Sequence, residues 1–590
     1  MLQQGVLPTH GALYTADGST HFALWAPDAR TVEVLFANGN AQPLQAEANG
    51  WHRAELPCPA GSAYAYRING EQQVPDPAAR AQQSDVHGFS LVVDPSSYAW
   101  QTPEWKGRPW HETVLYEVHV GLLGGFAGVE QCLANLVELG VTAIELMPLN
   151  QFPGERNWGY DGVLPFAPQN SYGSPDELRH LIDSAHNLGL MVFIDVVYNH
   201  FGPDGNYLGH YAKAFFRDDI QTPWGAAIDF RQPAVRDFFI ENALMWVQDY
   251  RVDGLRFDAV HAISEKDFLI EMAQRLRASV PLERHLHLVL ENEDNSAELL
   301  QAGFDAQWND DGHNALHVLL TDECEGYYQD YAQQPTEKLA RCLAEGFVYQ
   351  GQTNRHGNAR GEPSGHLPPT SFVLFLQNHD QVGNRAFGER LSCLTDPDAL
   401  KAATVLLLLS PMIPLLFMGE EWGSRQAFLF FTDHHDELGI AVRDGRRNEF
   451  KDFAVFQDAA IRDSIPDPNK YGTFNSSLPD YAPDIDPTHQ AWRIYYRKLL
   501  ELRHQLIVPR LPGSHSGTVQ VLGDKALSAN WTLADGSKLR IDINLSDSQV
   551  SAPPLSSAAR VIFGNRIDLH AAQQGVRGPY SALASIEESA

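Results

Sequence analysis

Cysteine is scarce in this chain: 5 in 590 residues, at Cys58, Cys132, Cys324, Cys342 and Cys393. The number is odd, the spacing wide, and no CxxC occurs. Neither a disulfide framework nor a thiolate zinc site is expected, and a reducing cytosol fits. Positive charge is also short, with 43 Lys and Arg against 74 Asp and Glu, a net charge of −31. That argues against nucleic acid and anionic membrane as partners and is compatible with a neutral substrate such as a sugar. Long apolar runs are missing as well. The longest, Val405 to Phe417, is broken by Ser410, Pro411 and Pro414, so no membrane span is expected. The opening residues, MLQQGVLPTHGALY, show no basic stretch followed by an apolar one, and no secretory signal is expected from them.

What is present is apolar enough for a packed globular protein, at 44% hydrophobic residues, and too long for one core. Residues 1–100 carry short alternating runs, HFALWAP, TVEVLFANG, WHRAEL and AYAYRING, separated by Gly, Pro or Asn. They predict a β-sandwich. Trp25, Trp51, Tyr64 and Tyr66 fit its core, with a carbohydrate platform as the competing reading. A Pro-rich segment, PDPAARAQQSDVHGFSLVVDP, follows and is expected to lie on the next domain.

From Thr113 strands and helices alternate. Ser174, Pro175 and Glu177 mark a helix start with a capping box. Its apolar face is Leu178, Leu181, Ile182, Ala185 and Leu188, and Gly189 ends it. Eight strand–helix units, over 101–507, predict a (β/α)8 TIM barrel with long insertions. A doubly wound sheet would also bury apolar strands. The barrel is preferred because polar clusters recur at the C-terminal ends of most strands, which a barrel gathers on one face. After Arg510 the runs GTVQVLG, LSANWTL, KLRIDINLS and RVIFG predict a small C-terminal β-domain over 508–590.

Four strand ends carry chemistry. GLRFDAVHAI places Arg256 and Asp258 two apart, on one face of a strand. The guanidinium keeps that carboxylate ionised and aimed, as a glycosidase nucleophile must be; a purely structural ion pair is the competing reading. DVVYNH brings Asp195, Asn199 and His200, and QNHD brings His379 and Asp380. Glu291 follows the apolar run HLHLVL, with Glu293 competing as the first carboxylate past the strand.

Taken in chain order, DVVYNH, GLRFDAVH, a strand then Glu291, and NHD, the four resemble the motif regions of the α-amylase superfamily of retaining glycoside hydrolases. The resemblance implies Asp258 as nucleophile, Glu291 as general acid/base and Asp380 as transition-state stabiliser. It implies Arg256, His200 and His379 around the same glucose subsite. Tyr160 and Asp161, in NWGYDG, would join the substrate-binding set, Tyr160 by stacking on the sugar. The stretches WNDDGHNALHVLL, QNHDQVGNRAFGERL, LLFMGEEWG, FLFFTDHHDEL and AVRDGRRNEFKDF further resemble one family within it, the maltooligosyltrehalose trehalohydrolases. That implies hydrolysis of the α-1,4 bond beside a terminal trehalose.

Many amylases carry Lys-His where this chain has His261 and Ala262, so the leaving-group side should differ, with His261 binding there. Trp422 and the run Phe428, Phe430 and Phe431 would shape the trehalose subsite, with insertion core as the competing reading for part of that run. Tyr481 stands where the family pattern expects Trp. Asn199 resembles a calcium ligand of secreted amylases, but too few other acidic ligands cluster there, so no metal and no cofactor is expected. The expected partner is maltooligosyltrehalose or a related α-glucan, bound by a cytoplasmic monomer or homodimer. The rivals are a glycogen branching or debranching enzyme, an amylase-like binding protein without activity, and a metal-dependent TIM-barrel enzyme. All three carboxylates are present, against the second. Arg256 beside Asp258 opposes a bound cation, against the third.

Overall fold

The computed structural model describes residues 9–451, 453–480 and 486–589. Tyr481 lies outside them. At the centre is a closed parallel barrel of eight strands. These are β1 (Leu115–Val118), β2 (Ala143–Leu146), β3 (Met191–Val196), β4 (Gly254–Phe257), β5 (His287–Leu290), β6 (Ala306–Trp308), β7 (Phe372–Phe375) and β8 (Ile413–Phe417). Each is followed by a helix: α1 (Phe126–Leu139), α2 (Pro175–Asn187), α3 (Pro233–Gln248), α4 (Lys266–Ala278), α5 (Ala297–Gln301), α6 (Asp310–Thr321), α7 (Pro397–Leu409) and α8 (Pro487–Leu502). The strands are short and buried throughout because both faces are covered, inward by facing strands and outward by helices.

Strand parity sorts the residues. Leu115, Ala143, Met191, Phe193, Val289, Trp308, Val373 and Ile413 pack together inside the barrel. Towards the C-terminal ends the inward positions become polar. Glu117 pairs in register with Glu145 across β1 and β2, and Asp195 with Arg256 across β3 and β4. Gly254 opens β4 because a Cβ there would fall 2.1 Å from the Phe193 ring. The floor is therefore filled before the charged layer begins.

α2 starts as its punctuation predicts. The Ser174 side chain accepts from the Glu177 N–H, and the Glu177 carboxylate accepts from the Ser174 N–H. Leu188 departs from the predicted face. It is the C-cap, one residue past the last turn, and is 42% exposed.

The N-terminal strands form two antiparallel sheets, one holding Ser19–Trp25 and Trp51–Pro57, the other Val32–Phe36 and Ala63–Ile68. Trp25, Tyr64 and Tyr66 are core. Trp51 is half-buried beneath the Arg53 guanidinium, 4.4 Å away. None of the four is an open platform. The sandwich docks on the segment after β3: the Asp28 carboxylate accepts from the Lys213 N–H at 2.8 Å, Gln72 hydrogen-bonds His210, and His87 bonds the Tyr207 hydroxyl at 2.7 Å. The C-terminal strands form a five-stranded antiparallel sheet centred on Lys538–Asn544. Among the described residues no helix is long and apolar enough to cross a membrane.

Candidate active site

Arg256 is the hub. Its Nη1 donates to Asp195 Oδ2 at 2.7 Å and to Asp258 Oδ1 at 2.8 Å. Its Nη2 stands 3.9 Å from Glu291 Oε2. The side chain is fully buried, with the guanidinium 4.2 Å above the Trp308 ring. The aromatic face adds a cation–π contact and leaves the fork one orientation. On the other side the Asn199 amide donates to Asp258 Oδ2 at 2.8 Å and to its backbone carbonyl at 3.0 Å. Asp258 thus has a guanidinium and an amide on its two oxygens, the company an ionised carboxylate keeps.

Glu291 has different surroundings. Its Oε2 accepts from the Ala259 N–H at 2.6 Å. Ala259 sits at φ +41°, a left-handed conformation that costs a non-glycine residue about 1–3 kcal/mol. That turn aims the amide at Glu291. Burial raises the Glu291 pKa; Arg256 opposes the shift and the Asp258 charge adds to it. A group kept protonated above the ordinary glutamate range can serve as an acid. The expected pH profile follows: kcat/KM should fall on its alkaline side through a single ionisation lying above the normal glutamate value. An alkaline limb at the ordinary value of about 4.3 would contradict the assignment.

The floor of the cleft is continuous with this pair. Burial pushes the Asp195 carboxyl up to about 7, against the pull of Arg256. Asp195 Oδ2 also accepts from the Tyr160 hydroxyl at 2.5 Å. The Tyr160 ring stacks on His379, centroids 5.1 Å apart, so one face of Tyr160 is already covered by protein. His200 bonds the Tyr160 carbonyl through Nε2 at 2.9 Å and the Asn199 side chain through Nδ1. Burial lowers its pKa. Asp380 is the most open of the three proposed catalytic carboxylates, 41% exposed, with His379 Nε2 3.5 Å from its Oδ1.

The remaining sequence-predicted residues divide. Asp161 lies at the wall, accepting from the Asn157 amide at 2.7 Å and facing His434 at 3.4 Å. Those two contacts hold its pKa below the usual range despite burial. His261 accepts from the Glu293 N–H at 3.2 Å, and Glu293 itself is 67% exposed. Glu291 is the carboxylate turned inward. Trp422 is not brought to the cleft. It is buried between the barrel and α1, beside Tyr116, Met418 and Arg493, and its indole donates to Asp480. The reason is local: Gly419 and Gly423, both left-handed, fold the Glu420–Trp422 turn back against the barrel. Phe428 and Phe431 are core, Phe428 stacking on Trp158; Phe430 alone is half-buried.

Sequence reasoning missed Glu117, Glu145 and Trp308, and the bond from Asn199 to Asp258. Both polar ends of the Asn199 side chain are used within the protein, the amide on Asp258 and the oxygen on His200. Among the described residues no group of three or more His, Cys, Asp or Glu is arranged for a metal. An acidic residue inside each apolar strand, LYEV and AIEL, was the available signal.

Comparison with known proteins follows the same architecture. Residues 79–224 match the alpha amylase catalytic domain family, 9–87 match carbohydrate-binding module 48 (isoamylase N-terminal domain), and 514–584 match a domain of unknown function. The chain is 39% identical over 549 residues to a malto-oligosyltrehalose trehalohydrolase of Deinococcus radiodurans, covering 89% of each. It is 35% identical to the one of Arthrobacter ramosus, covering 96% of this chain and 99% of that one. A crystal structure of a putative alpha amylase from Salmonella typhimurium is 41% identical, with a TM-score of 0.93 over 99% of this chain and 100% of that chain. A 1,4-alpha-glucan branching enzyme of Corynebacterium jeikeium is more distant, 30% identical over 70% of this chain and 62% of its own length.

Proposed function

The chain belongs to the malto-oligosyltrehalose trehalohydrolases of the α-amylase superfamily, and we propose that Asp258, Glu291 and Asp380 carry its chemistry. The reaction is hydrolysis of the α-1,4 bond next to the terminal trehalose of a maltooligosyltrehalose, releasing trehalose and a shortened glucan. Asp258 attacks the anomeric carbon as Glu291 passes its proton to the departing glycosidic oxygen. The bond to the trehalose breaks and a glycosyl ester forms on Asp258. Glu291, now a carboxylate, takes a proton from water, whose oxygen displaces Asp258 at the same carbon. Two inversions give retention. Asp380 faces the positive charge that develops on the ring.

One observation carries the assignment: a single guanidinium bonds Asp258 at 2.8 Å and leaves Glu291 at 3.9 Å. That inequality separates a nucleophile from a proton donor. Arg256, His200, His379, Tyr160 and Asp161 line the sugar position on this reading, and His261 stands at the leaving-group side. The protein acts on this reading as a monomer or homodimer, and the scarce cysteines fit a cytoplasmic location. We place the domain limits at 1–100, 101–507 and 508–590, the last lying within the helical turns that follow α8 before the strand from Thr518.

Maltopentaosyltrehalose and maltoheptaose, incubated separately and resolved by product, test the specificity. Rapid release of trehalose from the first with little change in the second is expected. Equal cleavage of both, or new branch points, would replace the trehalose reading with an amylase or branching activity.

A further inference from the structure

Glu117 lies on β1, far from the three carboxylates in sequence, yet both its oxygens are committed to one neighbour. Oε1 is 2.5 Å from His379 Nδ1, and Oε2 accepts from the His379 backbone N–H at 2.8 Å. Both side chains are 1% exposed. The far nitrogen, His379 Nε2, is buried, has no hydrogen-bond partner in the protein and stands 3.5 Å from Asp380 Oδ1.

We propose that Glu117 is a positioning residue that fixes His379 with a proton on Nε2, presenting a donor to the glucosyl ring beside Asp380. A neutral imidazole that donates from Nδ1 to an ionised Glu117 would turn an Nε2 lone pair towards the Asp380 carboxylate. Two states avoid this: an imidazolium beside ionised Glu117, or a neutral ring protonated at Nε2 beside protonated Glu117. Both hold the same number of protons, and in both Nε2 is a donor.

The groups facing His379 agree. Glu117, Asp380, Glu145 and Asp195 favour the cation, while Arg256 and His119 oppose it. Burial works against the charge, but Glu117 and then Asp380 outweigh it and take His379 to about 9. Tyr160 stacked on one ring face and Trp158 set edge-on at 5.5 Å leave the ring no second orientation.

The inference rests on the reading of His379 and Asp380 as part of the reacting subsite, and the experiment separates the two. Glu117→Gln keeps the shape and removes the charge. Its kcat/KM should fall at least tenfold at pH 8 and less at pH 5, where added protons restore the imidazolium. The deficit should therefore widen as pH rises, which a merely structural loss would not do. In a His379→Asn background the same change should have no further effect. Full activity of His379→Asn overturns the subsite reading. An impaired His379→Asn beside a Glu117→Gln protein with an unchanged pH profile, or additive losses in the double variant, overturns the role of Glu117. Should Glu117→Gln not fold, histidine-selective ¹⁵N spectra of the unaltered protein decide: a ring that holds a proton on Nε2 at pH 8, as imidazolium or as the neutral Nε2–H tautomer, and is absent from His379→Asn is expected, and a neutral ring protonated on Nδ1 alone at pH 8 overturns the proposal.

Discussion

Glu291→Gln should lower kcat on maltooligosyltrehalose by about 10²–10⁴, the range over which a positioned general acid acts. Asp258→Asn should lower it by about 10⁴ or more, the scale for removing a nucleophile. The two losses differ in kind. A maltosyl fluoride leaves without a proton, so Glu291→Gln should recover much of its first-step rate on that substrate and Asp258→Asn none. Near-normal turnover by either variant on the natural substrate would remove the assignment. Stability should move the other way. Because burial raises the folded pKa of Glu291, folding takes up a proton at pH values above the unfolded one, and the stability this group contributes is lost as pH rises through the folded value. Glutamine keeps the neutral form and can still accept from the Ala259 N–H. Glu291→Gln should therefore melt at a higher temperature than the unaltered protein at pH 8, with the gap closing near pH 4, where both side chains are uncharged.

The second large effect is at Arg256. Replacing it with Met removes what is, among the described residues, the only cation bonded to Asp195 and Asp258, and leaves their carboxylates buried without it. Breaking a buried pair by deleting one partner costs about 3–5 kcal/mol, read as a lower urea midpoint, and activity should be lost with it. Arg256→Lys keeps the charge but not the fork, and gives up the flat contact with Trp308. It should regain part of the stability and little of the rate. Adding Asp195→Asn to Arg256→Met removes one of the stranded charges and should restore some stability without activity. An Arg256→Met protein as stable as the unaltered one would show that the guanidinium is not what holds this layer together.

Legibility followed distance along the chain. Arg256 and Asp258 stand two apart across the end of β4, so alternation carried one residue further puts them side by side, and the barrel supplies only the wall. The start of α2 was equally plain, since Ser174 and Glu177 complete each other within one turn. Glu117 was not legible: its partner His379 is 262 residues away, and a single acid in a four-residue apolar strand says nothing of what it faces. Glu145 shares that difficulty. Trp422 was misplaced for the opposite reason. Its position just past β8 suggested the cleft, but the backbone between two left-handed glycines reverses, and direction after a strand end is a property of the turn. Asn199 resembles a calcium ligand where no metal was expected, and the bond of its amide to Asp258 joins the segments after β3 and β4, which neither discloses alone.

The seating of the sandwich on residues 207–213 places it against the same loop that leaves the barrel at His200. The two parts are therefore not interchangeable modules. A sandwich taken from a relative would have to bring its own counterparts of Asp28, Gln72 and His87, or the loop would be rewritten to suit it. The C-terminal sheet is tied to the barrel in the same way, the Trp531 indole donating to the Leu343 carbonyl and the Lys525 N–H to the Thr336 hydroxyl, so exchanging either terminal domain between members of this family would mean exchanging its partners on the barrel with it.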